Sequence, residues 1–109
     1  MDEKRERIRE LNDQLRKNLT FGTAVMTPGI AALGPNAVER IIHFVSAFDS
    51  FKPANDPHGE GDFGVLETEG QRIFFKIDYF DRALQFHSPD PSDPNVTERV
   101  ITIMLAEEY

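Results

Sequence analysis

Apolar and polar positions follow a helical period at the start of this chain and a two-residue period later. Between residues 2 and 17, Ile8, Leu11 and Leu15 recur at i, i+3 and i+7, and Leu19 extends the row. Glu3–Arg7 and Asp13–Lys17 stand four apart with the acid first, which favours a helix. The apolar stripe is one residue wide, so residues 1–19 are expected to form an amphipathic helix docked on the surface of its own domain. Thr20–Met26 reads as a short strand. Thr27 as N-cap, Pro28 at the first helical position and Gly34 past the end bound a short helix over 28–33. Pro35 opens a longer helix over 35–49, whose apolar face is Val38, Ile41, Ile42, Val45 and Phe48, widened by Phe44.

Two prolines and two glycines make 50–62 a loop, long for a compact domain, and long ordered loops are often functional. A hairpin follows, Phe63–Thr68 and Arg72–Phe80, turning at Glu69-Gly70. Ile73, Phe75, Ile77 and Tyr79 share one face of its second strand; Arg72, Phe74, Lys76, Asp78 and Phe80 share the other, which is expected to be covered by helices. A third strand is expected over Ala83–His87 with Leu84 and Phe86 inward, then a proline loop over 88–95. Val96–Glu108 carries β-branched residues, yet Asp93-Pro94 is a helix-start signal and thirteen residues is long for a strand, so a helix is expected. Glu107 and Glu108 would then lie at an unfavourable helix C-terminus and fray or seek a cation. The sum is an α+β domain over 20–109: a small antiparallel sheet of three to four strands packed by helices, preceded by the amphipathic helix.

At 109 residues the chain is one domain's worth. It has no Cys, which excludes disulfides, thiolate metal sites and thiol catalysis. No long apolar run or signal peptide stands out, so a cytoplasmic location and no membrane partner are expected. The net charge of −7 is uneven: residues 1–18 sum to +1 and the remainder to −8. Such a body repels phosphates, which argues against direct nucleic-acid binding, and attracts basic surfaces.

Polar groups concentrate in Asn55, Asp56, His58, Glu60 and Asp62, with Asp78, Tyr79 and Asp81 on the following strand and turn and Asp90 and Asp93 in the proline loop. These are the candidate binding residues. If the protein is an enzyme, His58, Glu60 and Asp62 are the acid–base candidates, because an imidazole between carboxylates can divide proton transfers. Asp56, Gly61 and Glu67 fall at positions 1, 6 and 12 of a calcium-loop pattern, which makes Asp56, Glu60, Asp62 and Glu67 weak metal candidates. His58 and Glu60 stand where that pattern expects Asp or Asn, and a strand rather than a helix follows. The alternative for this loop is turn chemistry, in which Asn and Asp cap their own backbone. His43 and His87 are expected to be solvated. No nucleophile elbow and no nucleotide-binding glycine motif is present, and no cofactor is implied.

Phe48-Asp49, the run Asn55 to Gly64, Lys76-Ile77-Asp78-Tyr79-Phe80-Asp81, Ser88-Pro89-Asp90-Pro91 and the ending Ile103 to Tyr109 resemble a family of short proteobacterial proteins, often on mobile elements, grouped as a domain of unknown function. Where the family loop reads Gly-Glu-His-Asp-Phe-Gly, this chain has Gly61 in place of His, which weakens any metal or proton role there. The resemblance implies that the polar loop and the Lys-Ile-Asp-Tyr strand form a shared site.

Three functional classes follow. The first is an acidic interaction protein that blocks a host nucleic-acid-targeting system, of anti-CRISPR or antirestriction type, by meeting the basic surface of a nucleic-acid-binding effector complex. The second is a metal-dependent or acid–base enzyme centred on the Asn55–Asp62 loop. The third is a housekeeping regulatory module without catalysis.

Overall fold

The computed structural model describes residues 2–54 and 56–109. Its elements in chain order are α1 (Glu3–Lys17), a 3-10 turn (Leu19–Phe21), β1 (Thr23–Met26), α2 (Pro28–Ala31), α3 (Pro35–Ala47), β2 (Phe63–Thr68), β3 (Gln71–Phe80), β4 (Glu98–Leu105) and a final 3-10 turn (Ala106–Glu108). The four strands form one mixed sheet in the order β1-β4-β3-β2. The α+β class stands. β2, β3 and β4 are antiparallel, while β1 pairs in parallel with β4, Thr23 opposite Val100 and Met26 opposite Ile103.

All three helices pack on one face of the sheet. Leu15, Ile30, Ile41 and Val45 meet Ile73, Phe75, Ile77, Ile101 and Ile103 in a single core. Gly64 lets this happen at the β2 edge, because a Cβ there would lie 2.2 Å from the ring of Phe75. Phe48, Phe51 and Phe75 pack edge to face above it, with centroids 4.9–6.2 Å apart. The hairpin turn places both Glu69 (φ 55°) and Gly70 (φ 71°) in the left-handed region, as a two-residue hairpin turn requires. Glu69 then clamps Arg40 of α3, with Nη2 at 2.5 Å and Nε 3.1 Å from both oxygens.

Several expectations are corrected. Within residues 96–108 the chain forms β4 (Glu98–Leu105) and the 3-10 turn Ala106–Glu108, not a helix. Ile101 and Ile103 of β4 are buried under the helices while Val100 and Thr102 are half-exposed on the other face, but both sets are apolar or β-branched, so the run mimics a buried helix. Ala83–His87 is not a strand but a turn. It keeps a single bridge, Phe80 to His87, and Leu84 and Phe86 point outward. Phe44 is exposed on α3 and does not widen its core face. The face bearing Phe74 is not covered by helices; Phe63, Phe74 and Tyr109 pack against one another there. In α1 the ion pairs are three apart, Arg7–Glu10 and Arg16–Asp13, not the four-apart pairs expected. Glu108 does not fray. It accepts from Thr27 Oγ1 (2.6 Å) and from the N–H groups of Gly29 (3.0 Å) and Leu105 (2.9 Å), so it closes the start of α2 in place of the Thr27 side chain.

Helix α1 is fixed by more than its apolar stripe. Ile8, Leu11 and Leu15 are buried, and so are Asn12 and Arg16, four and eight residues after Ile8. Leu15 reaches the centre of the core, fully buried. Leu15→Ala is expected to cost about 2–5 kcal/mol of unfolding free energy, read from urea denaturation.

Candidate functional site

The loop after α3 folds back beneath α1, and Asp56 organises it. Its Oδ1 accepts from the backbone N–H groups of Glu60 (2.9 Å) and Gly61 (3.0 Å), and its Oδ2 accepts from Arg9 Nη1 (3.3 Å). Gly61 has φ 64°, a conformation that glycine adopts without strain. Arg9 also donates to the Gly59 carbonyl at 3.4 Å. The turn-chemistry reading therefore describes Asp56: both of its oxygens shape the loop. Asn55 lies outside the described residues.

The loop delivers Glu60 to a buried polar chain. Asn12 is fully buried; its Nδ2 donates to the Glu60 carbonyl (3.0 Å) and to the Tyr79 hydroxyl (2.8 Å). Tyr79 in turn donates to Glu60 Oε1 at 2.8 Å. At the other end Arg99 Nε donates to Asn12 Oδ1 at 2.9 Å, its Nη2 donates to the Pro91 carbonyl, and its guanidinium lies 5.2 Å from the centroid of the Tyr79 ring. A chain of hydrogen bonds thus runs Arg99 → Asn12 → Tyr79 → Glu60, each donor aimed toward the carboxylate. Burial, opposed by Asn12 and reinforced by Glu60, pushes the Tyr79 phenol well above its ordinary range. The phenol is held as a donor and not as a proton source near neutrality. Beside the chain, the ring of Phe51 has the guanidiniums of Arg9 and Arg16 at 5.0 and 5.2 Å, and Arg16 pairs with Asp13 at 2.7 Å.

Asp62 follows in the same loop, half-buried. Burial raises its carboxyl pKa, and the charges of Glu60 and Asp56 raise it further, while His58 lowers it. His58 is exposed. The fold thus gathers Asp56, Glu60, Asp62 and Tyr79 at one loop and strand end. It spreads the other candidates. Asp78 pairs with Lys76 at 2.9 Å on the opposite face of β3. Asp81 accepts from the Gln85 N–H (2.9 Å) in the turn after β3. Asp90 accepts from Ser92 and pairs with Lys4 at 3.4 Å, and Asp93 caps Asn95. Glu67 pairs with Arg72 on the hairpin. Among the described residues no group of three or more His, Asp or Glu is placed to hold a metal ion.

Arg9, Asn12, Arg16, Phe51 and Arg99 belong to this assembly, and no motif announced them. The one sequence signal was positional: Asn12 and Arg16 form a second row beside the Ile8–Leu15 stripe.

Together the fold and this relay define a small α+β protein whose leading helix is locked to the sheet by buried polar groups. The chain belongs to the family of proteins of unknown function DUF3768, whose model matches residues 26–108. The match covers α2, α3, β2, β3 and β4 and begins after α1, so Asn12 reaches into the matched region from outside it. No curated protein and no solved structure gives a significant match to the chain. Among the described residues no helix is long and apolar enough to cross a membrane.

Tyr79→Phe leaves Asn12 Nδ2 and Glu60 short of a partner and is expected to cost about 1–3 kcal/mol in urea denaturation. Asp62 binds its proton more tightly folded than unfolded. It therefore adds stability in acid, and that contribution is lost as pH rises through the folded pKa. Asp62→Asn is expected to raise the urea midpoint at neutral pH. It should also flatten the decline in stability that Asp62 causes as pH rises above the ordinary aspartate range.

Proposed function

We propose that the chain is a protein-interaction module that docks on a basic partner through the turn after β3. The turn itself carries this reading. Leu84 and Phe86 are 53% and 71% exposed, yet their backbone is pinned. Asp81 N–H donates to the Phe86 carbonyl (2.8 Å), Leu84 N–H to the Asp81 carbonyl (3.0 Å) and Gln85 N–H to Asp81 Oδ1 (2.9 Å). Leu84 sits at φ 59°, a left-handed conformation that costs a branched residue about 1 kcal/mol or more. Two large apolar side chains held in water on a strained, rigid turn are costly in the free chain. A partner that buries them offsets that cost, and a turn already ordered loses little entropy on binding.

Charge supports the basic partner. Among the described residues, ion pairs engage eight of the nineteen acids and eight of the twelve lysines and arginines. Among the described residues, eleven acids and four cations enter no ion pair with one another, so internal pairing leaves the negative field in place and Asp81 at the base of the exposed turn. The narrower form of the proposal is that the partner is a nucleic-acid-targeting effector of a defence system. The chain would then inhibit it, in anti-CRISPR or antirestriction fashion, by covering its basic nucleic-acid site.

Leu84→Ser with Phe86→Ser is expected to leave thermal stability nearly unchanged while weakening the complex more than tenfold. Immobilised wild-type and double-variant proteins, exposed to the same bacterial lysate, check this by mass spectrometry. A basic nucleic-acid-binding protein should be retained by the wild type, lost from the variant and released by added salt or DNA. Retention of the same proteins by both would refute the turn as the docking element.

A further inference from the structure

A groove of about 260 Å³ lies between α1 and the start of β4 and draws three arginines together, Arg7 from α1, Arg82 from the turn after β3 and Arg99 from β4. Arg99 is the unusual one. It is buried, and among the described residues it is in no ion pair; its partners are the Asn12 carboxamide, the Pro91 carbonyl and the face of Tyr79, all neutral. Its Nε and Nη2 are the atoms so bonded, and among the described residues Nη1 is not one of the buried atoms left without a partner, so it reaches solvent. A buried cation surrounded by neutral groups is costly, and buried charges in folded proteins are ordinarily paired. Burial lowers the proton affinity of Arg99 and the charge of Arg7 lowers it further, while Tyr79 and the more distant Glu60 carboxylate oppose the shift without reversing it. One carboxylate, Glu98, lines the groove itself, but it is engaged, accepting from Thr23 Oγ1 (2.9 Å) and pairing with Arg82 (3.3 Å); Glu10 pairs with Arg7 (3.0 Å).

We infer that this groove binds the phosphoryl group of a small organic phosphate, with Arg99 as the buried anchor and Arg7 and Arg82 closing over it from the rim. A phosphate monoester carries a charge of about −1.5 to −2 and three acceptor oxygens. It offsets more than one guanidinium, which a singly charged carboxylate does not, and the planar fork of arginine matches its geometry. Leu11 and the exposed ring of Phe21 also line the groove and offer apolar surface to the organic part of the ester. In a body that repels phosphates at large, the local convergence of guanidiniums makes this groove the exception. The groove shares Arg82 with the docking turn but uses neither Leu84 nor Phe86, so Leu84→Ser with Phe86→Ser tests docking without removing a guanidinium from the groove.

Phenyl phosphate is the probe. It is expected to raise the melting temperature by about 3–6 °C at saturating concentration and by more than inorganic phosphate does. Benzoate and chloride at matched ionic strength should leave it nearly unchanged. Arg7→Gln with Arg82→Gln removes two exposed side chains and should abolish most of the shift while the unliganded protein still folds. In the wild type, the side-chain Nε–H resonance of Arg99 should move on titration with phenyl phosphate. An equal thermal shift in the double variant, an equal response to chloride, or a stationary Arg99 resonance would each overturn the site. Protection by a short single-stranded oligonucleotide at lower concentration than phenyl phosphate would overturn the small-ligand assignment in favour of a polymer.

Discussion

The carboxamide of Asn12 is the constraint around which the rest of the polar structure is arranged. It is fully buried, and it satisfies three groups from three different parts of the chain: the Glu60 carbonyl, the Tyr79 hydroxyl and the Arg99 guanidinium. A buried amide with its partners in place is stabilising and directional; the same amide with one partner missing is costly. The leading helix therefore has one acceptable seat on the sheet, fixed in rotation by Asn12 and in depth by Leu15. The loop after α3 is held in the same way, since Asp56 shapes it internally and Arg9 ties it to the helix.

This arrangement also separates charge. Arg99 and Glu60 stand at opposite ends of the Asn12–Tyr79 bridge and do not touch as an ion pair. The bridge orients both and neutralises neither, so the guanidinium keeps its field on the β4 side and the carboxylate keeps its own on the loop side. An acidic protein thereby holds a positive groove next to α1, with the polar loop at the far end of the same relay.

The helices and the hairpin were legible because their signals are local. Ile8, Leu11 and Leu15 keep helical spacing, Pro35 starts a helix, and Glu69-Gly70 turns a hairpin. β4 was not legible because its half-exposed positions, Val100, Thr102 and Leu105, are apolar or β-branched like its buried ones, so the alternation seen in burial is hidden in the residue types. The Ala83–His87 segment misled in the opposite direction: Leu84 and Phe86 alternate as if one face were buried, but no neighbouring strand pairs with them. At the site, Glu60 and Tyr79 belonged to the suspicious loop and strand, so their meeting could be anticipated. Asn12 and Arg99 could not, because a polar residue on a surface helix and a lone arginine in an apolar run look solvated until tertiary contacts remove them from water.

The parallel pairing of β1 with β4 has a consequence for how the molecule comes into being. β4 lies between β1 and β3, so neither the first strand nor the hairpin has its inner neighbour until residues 98–105 are available. During synthesis the β2–β3 hairpin emerges with an open edge and an apolar face that only the helices can shelter. Closure of the sheet joins residues more than seventy positions apart, which makes it a slow, non-local step. The nascent chain therefore passes through a stage in which its most sticky backbone waits for its last strand, and a ribosome that pauses before that strand prolongs the wait.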